Sequence, residues 1–112
     1  MKAVTSFQAF ESIEILAGTI VKAEVFVEAR KPAYKLWVDF GDRGILRSSA
    51  QITKHYDCDG LIGRQVIGIT NLGTKQIGPF VSECLVTGFA DENGDVVLAT
   101  IDKPIKNGTQ LF

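Results

Sequence analysis

From Tyr34 to Phe40 the chain alternates, with Tyr34, Leu36, Val38 and Phe40 on one side and Lys35, Trp37 and Asp39 on the other. A period of two is the pleat of a β-strand, and a strand with one continuous apolar face must bury it. The run stops at Gly41-Asp42-Arg43-Gly44, a hairpin turn, and a further strand returns over Ile45 to Ser49. This pair commits the chain to an antiparallel sheet closed around its own core.

Elements on either side extend the sheet. Ile13 to Val25 contains the β-rich stretch Leu16-Ala17-Gly18-Thr19-Ile20-Val21, and Gly18 is expected to mark a bulge or tight bend. A long strand needs such a device when it serves two sides of a small barrel. Before it, Ser6 to Ser12 predicts a short helix capped by Ser6, with Phe7 and Phe10 on one side. Glu28 to Ala33 is a polar turn around Pro32. Ala50 to Tyr56 predicts a short helix, and Asp57 to Gly63 leads out of it. Gln65 to Leu72 reads as the fourth strand and Ser82 to Phe89 as the fifth. Asp91-Glu92-Asn93-Gly94-Asp95 is a turn before a short strand at Val96 to Ala99, and Asn107-Gly108 marks a turn in the tail Pro104 to Phe112.

Three meandering strands, a helix and two more strands follow the order of an OB-fold. The expected class is therefore all-β: a five-stranded OB-fold barrel with short helices and N- and C-terminal extensions, as one domain over residues 1–112. In that architecture ligands lie across strands two and three, gripped by the loops after strands one and four.

Composition narrows the function. The apolar fraction is 46%, high for a small chain with much surface per residue, so a homodimer that covers exposed apolar area is expected. Twelve basic and thirteen acidic residues leave a net charge of −1, with no like-charge block or basic stripe. No apolar run approaches the length of a membrane span, and Met1-Lys2 is not followed by a signal-peptide core, so membrane insertion is not expected and the cytoplasm is. Cys58 and Cys84 make no disulfide framework; both are expected reduced, Cys84 as a small core residue.

The loop after the fourth strand is the richest candidate site. Asn71-Leu72-Gly73-Thr74-Lys75-Gln76-Ile77-Gly78-Pro79-Phe80 leaves an apolar run and offers one lysine with an apolar tip at Ile77 and Phe80. It re-enters an apolar run through Ser82 and Glu83, a polar pair for which a core strand has no use. On a rigid barrel such a loop serves recognition. Ile77 and Phe80 are expected to supply apolar contact, and Asn71, Ser82 and Glu83 to hydrogen-bond a ligand. Trp37 stands on the strand face opposite Leu36 and Val38, to stack on a ligand or to pack on the N-terminal helix or a dimer seam. Lys35, Arg47 and Lys75 form an electrostatic rim.

Catalytic chemistry finds no support. His55, Asp57, Cys58 and Asp59 lie close together, but the single histidine sits in no zinc spacing. No nucleophile elbow accompanies Ser48 or Ser49, and Gly41 to Gly44 is too short for a phosphate loop. No metal, cofactor or catalytic residue is expected.

A resemblance adds to this. Ile15 to Glu24, Ala29-Arg30, Pro32-Ala33, Lys35 to Gly41, Asn71-Leu72, Phe80, Ser82-Glu83, and Pro104 with Asn107-Gly108-Thr109 carry it over nearly the whole chain. They resemble the tRNA-binding OB domains found beside or within methionyl- and phenylalanyl-tRNA synthetases. Ser48-Ser49-Ala50-Gln51-Ile52-Thr53 resembles the free-standing CsaA-type export chaperone branch in particular. The resemblance implies a non-catalytic homodimer that binds unfolded preproteins or peptides, with tRNA as the competing ligand. The sequence departs from the synthetase-linked domains in keeping only Lys75 where they place several basic residues. Fewer phosphate contacts mean weaker tRNA binding with a flatter salt dependence.

Overall fold

The structure, a computed structural model, describes all 112 residues. Helix α1 (Phe7–Glu11) precedes strands β1 (Ile15–Val25), β2 (Tyr34–Asp39) and β3 (Ile45–Ala50). A one-turn helix α2 (Cys58–Leu61) leads to β4 (Gln65–Ile69). Five short strands complete the chain: β5 (Lys75–Ile77), β6 (Phe80–Ser82), β7 (Leu85–Val86), β8 (Gly88–Ala90) and β9 (Val96–Leu98). The main sheet has five antiparallel strands in the order β3-β2-β1-β4-β7, with β5–β6 and β8–β9 as separate hairpins. It is the OB-fold expected, with all-β architecture.

β1 is the organising strand. Residues Ile15 to Thr19 pair with β4 and residues Thr19 to Val25 with β2, so Thr19 stands opposite both Gln65 and Asp39. The sheet closes when the Glu83 and Cys84 amides both donate to the Arg47 carbonyl, at 2.7 and 3.2 Å, bridging to edge strand β3.

Gly18 has a different role from the bend expected of it. The irregularity in β1 falls between Ile20 and Lys22. Gly18 instead makes room: a Cβ there would lie 2.7 Å from ring carbons of Phe40 and from Val38 Cγ1. Gly68 on the neighbouring β4 faces the same ring, so two glycines floor the socket of Phe40. Around that ring the core is built from Ile20, Leu36, Val38, Leu61 and Val66, all fully buried. The alternation of β2 is realised as predicted, with Tyr34, Leu36, Val38 and Phe40 inside.

Two elements differ from the sequence expectation. Ala50 to Tyr56 forms no helix, because Ser48, Ala50 and Ile52 carry the period-two burial of β3 onward. The helix starts after Asp57, whose carboxylate caps the Gly60 amide at 2.6 Å. The fifth strand is not continuous from Ser82 to Phe89 but divides into β6, β7 and β8, which serve three different pairings. The N-terminal helix forms as expected, with Ser6 Oγ accepting from the Ala9 amide at 3.1 Å. No helix is long and apolar enough to cross a membrane.

Candidate functional site

The segment after β4 is not an open loop. Gly78-Pro79 turns it into the hairpin β5–β6, with Ile77 opposite Phe80 and Lys75 opposite Ser82. Phe80 faces inward and is 5% exposed, which corrects the expectation of an exposed loop tip. With Phe26 and Ala33 it forms a small second core, against which Ala29, Trp37 and Ile77 pack. Its ring meets Phe26 at 5.4 Å and Trp37 at 6.0 Å, both edge-on. Phe80 is thus the rivet that holds the hairpin on the outer face of the sheet.

That face carries the predicted cations. Pairing of β1, β2 and β3 sets Lys22 opposite Trp37 and Trp37 opposite Arg47, a row across three strands. Lys22 Nζ lies 4.5 Å above the Trp37 ring, while Lys35 Nζ and Arg47 Cζ lie 5.7 and 5.5 Å from the Phe80 ring. Trp37 is half-buried by these neighbours and packs on the hairpin, not on the N-terminal helix. Each of the three cations also has an acid: Glu24 at 3.6 Å for Lys22, Glu28 at 4.0 Å for Lys35, and Glu83 at 3.1 Å for Arg47. Lys75 is exposed and makes no ion pair.

The polar residues assigned to ligand binding are tied into the scaffold. Glu83 Oε1 accepts from the Arg47 backbone amide at 3.0 Å and from Arg47 Nε at 3.1 Å. The amide bond, then the guanidinium, hold its carboxyl below the usual carboxylate range. Asn71 accepts from the Glu14 amide at 2.8 Å and donates to the Ser12 carbonyl at 2.9 Å, fixing the start of β1. Ser82 Oγ accepts from the Ser49 amide at 3.3 Å and still faces open space.

That space is a groove of about 360 Å³ between the end of β3 and the β5–β6 hairpin. Leu72, Ile77 and Leu85 form its apolar wall, Ser49, Gln51, Thr74 and Ser82 its polar wall, and Lys75 its charge. Leu72 and Leu85 are 60% and 49% exposed. Of the predicted site residues, Lys75, Ile77 and Ser82 line the groove, and Lys35, Trp37, Arg47 and Phe80 form the adjoining face. Lys22, Leu72 and Leu85 were missed. Lys22 meets Trp37 only through the strand register, and the two leucines read as core residues in a sequence where core residues are also leucine.

A larger depression, about 500 Å³, lies beside Glu14, Arg43 and Lys106. Its principal cation is already spent, since Arg43 binds Glu14 Oε1 at 2.9 Å and the Thr70 carbonyl at 3.0 Å. His55 pairs not with Asp57 or Cys58 but with Asp91, at 2.6 Å and near Asp95. Asp91 Oδ1 accepts the Asn93 and Asp95 amides, so this cluster braces the β8–β9 turn. Burial pushes the Cys84 thiol up to about 12, which removes it as a nucleophile at neutral pH.

A nearly closed five-stranded barrel with a groove beside its β2–β3 face and a hairpin after β4 defines an OB-fold binding module. The chain belongs to the family of putative tRNA-binding domains, whose model matches residues 15–110. Among solved structures, it is 43% identical to the CsaA chaperone of Bacillus anthracis, with a TM-score of 0.93, covering 98% of this chain and 100% of that one. It is 41% identical to the CsaA chaperone of Picrophilus torridus, with a TM-score of 0.90, covering 97% and 100%. It is also 35% identical over 101 residues to the methionine–tRNA ligase of Methanocaldococcus jannaschii. That match spans 90% of this chain but 15% of the ligase. The matched unit is a binding domain, not a catalytic one.

Proposed function

We propose that this chain is a non-enzymatic, cytoplasmic chaperone module that binds unfolded or export-destined polypeptides as a homodimer. The observation that carries the choice of polypeptide over tRNA is the pairing of cations. Lys22, Lys35 and Arg47 each stand beside a glutamate, leaving Lys75 as the uncompensated charge of the face and groove. Exposed pairs of this kind contribute little stability, but they cancel the local field that a polyanion would need. The groove beside them offers apolar walls and neutral hydrogen-bonding groups, which suit a polypeptide. The solved CsaA chaperones at 43% and 41% identity support the same reading.

The test is a titration of the protein with tRNA and with a permanently unfolded polypeptide, such as reduced and carboxymethylated lactalbumin, at about 50 and 200 mM salt. Polypeptide affinity is expected to change little between the two. The tRNA salt slope is expected to be no steeper than roughly −2 to −3, because few phosphates can be neutralised. A steep slope with submicromolar tRNA affinity at the higher salt, and no polypeptide binding, would make this a structure-specific tRNA-binding module instead.

The dimer is supported by surface that a lone chain leaves wet. Val4 and Phe7 on the N-terminal arm and Phe112 at the other terminus are 100%, 72% and 108% exposed. Equilibrium sedimentation at micromolar concentration is expected to return twice the chain mass; a monomer there would refute the dimer.

A further inference from the structure

We propose that the groove captures its polypeptide by strand addition at the end of β3, with an acidic group of the ligand on Lys75. This rests on the polypeptide-binding reading above. β3 is the edge of the five-stranded sheet. In a strand, the N–H and C=O of one residue point the same way, and those of Arg47 and Ser49 point away from β2. Arg47 is fully used there, its amide donating to Glu83 Oε1 and its carbonyl accepting from the Glu83 and Cys84 amides. The Ser49 amide donates to Ser82 Oγ at 3.3 Å. Barrel closure stops at that point. The Ser49 carbonyl and the Gln51 amide have no partner within the protein, and both residues line the groove.

A free acceptor and a free donor two residues apart on a strand edge match the amide and carbonyl of a single residue on an added parallel strand. Alternate side chains of such a strand would then rest on Leu72, Ile77 and Leu85, as peptide ligands of sheet edges do. Charge selects among peptides. The groove contains Lys75 and no acidic residue, so a glutamate, an aspartate or a terminal carboxylate is the complementary group. Main-chain recognition accepts many sequences, provided that the segment is extended and its own hydrogen bonds are unmade. An unfolded chain offers many such segments, a folded one only its sheet edges.

The probe is a short labelled peptide of alternating valine and serine with one central glutamate, measured by fluorescence anisotropy. Single backbone N-methyl groups are placed in turn along it. Strand addition predicts a loss of about tenfold or more at the one amide that meets the Ser49 carbonyl and little effect at its two neighbours, which point away from the edge. With both peptide termini blocked, Lys75→Glu is expected to weaken this peptide by about three- to tenfold and its glutamine counterpart clearly less. Peptide binding with a flat N-methyl profile would overturn strand addition while leaving the polypeptide reading intact. If neither the peptide nor unfolded lactalbumin binds, that reading fails and this one with it. Self-association abolished by Lys75→Glu would overturn the proposal in favour of a second copy in the groove.

Discussion

Replacing Phe40 with alanine is expected to destabilise the fold by about 3–5 kcal/mol, the range for emptying an aromatic site in a packed core. That is a large part of the roughly 5–15 kcal/mol that a domain of this kind has in total. The ring is fully buried and packs against the bare backbone of two different strands, which offer no side chain on that side to fill the void. Gly18→Ala attacks the same contact from the other side. Its Cβ would lie 2.7 Å from the Phe40 ring, inside van der Waals contact, and overpacking of this kind costs about 1–3 kcal/mol. The two effects must therefore be coupled. In a Phe40→Leu background, Gly18→Ala should cost clearly less than alone, read as urea midpoints in a double-mutant cycle. Additive losses would show that the clash is with Val38 and not with the ring, and the socket argument would fail.

Glu83→Ala is expected to destabilise the protein by about 1.5–3 kcal/mol at neutral pH, the range for hydrogen bonds to a charged partner. It removes the acceptor of two Arg47 bonds at the seam where β3 meets the start of β7, and leaves the Arg47 amide unpaired. The acid dependence has a definite sign. The carboxyl of Glu83 is held below its ordinary value of 4.5 in the fold, so the unfolded chain binds its proton first. Its contribution is complete above the unfolded value and is lost as pH falls below 4.5 through the folded one. Glu14, held down by the Thr70 hydroxyl and then by Arg43, adds acid sensitivity of the same sign. Glu83→Gln should therefore be less stable than the parent at pH 7 and converge towards it at low pH, in denaturant titrations at both conditions. Equal stability at pH 7 would mean that the seam does not depend on this charge.

Glu83 also shows where sequence reading stopped. A polar pair at a strand mouth has two fates with one local signature: it can wait for a ligand, or it can close the sheet. The choice depends on Arg47, whose carbonyl and amide the barrel brings to it from far along the chain. Asn71 follows the same logic, since its partners Ser12 and Glu14 belong to the other end of the barrel wall. Phe80 read as an exposed tip because nothing near it in sequence could cover it. Phe26, Trp37 and Arg47 do so from three other segments.

What the sequence by itself determined is the first four strands of the main sheet and the inward face of the second. Alternation in Tyr34 to Phe40, the turn at Gly41 to Gly44 and the cap at Ser6 are decided by the pleat, by glycine at positive φ and by one local hydrogen bond. Their physics spans a few residues, so they are legible in a few residues. The helix expected over Ala50 to Tyr56 failed at the margin of that rule. Ala50 and Ile52 are inside because the barrel continues past the edge of β3, and a short stretch of sequence does not announce where a barrel ends. The tertiary structure alone decided that Gly18 is a floor and not a bend, which cation has an acid beside it, and which amide is left without a partner. Each of these depends on register between strands, and a shift of one residue reverses every face.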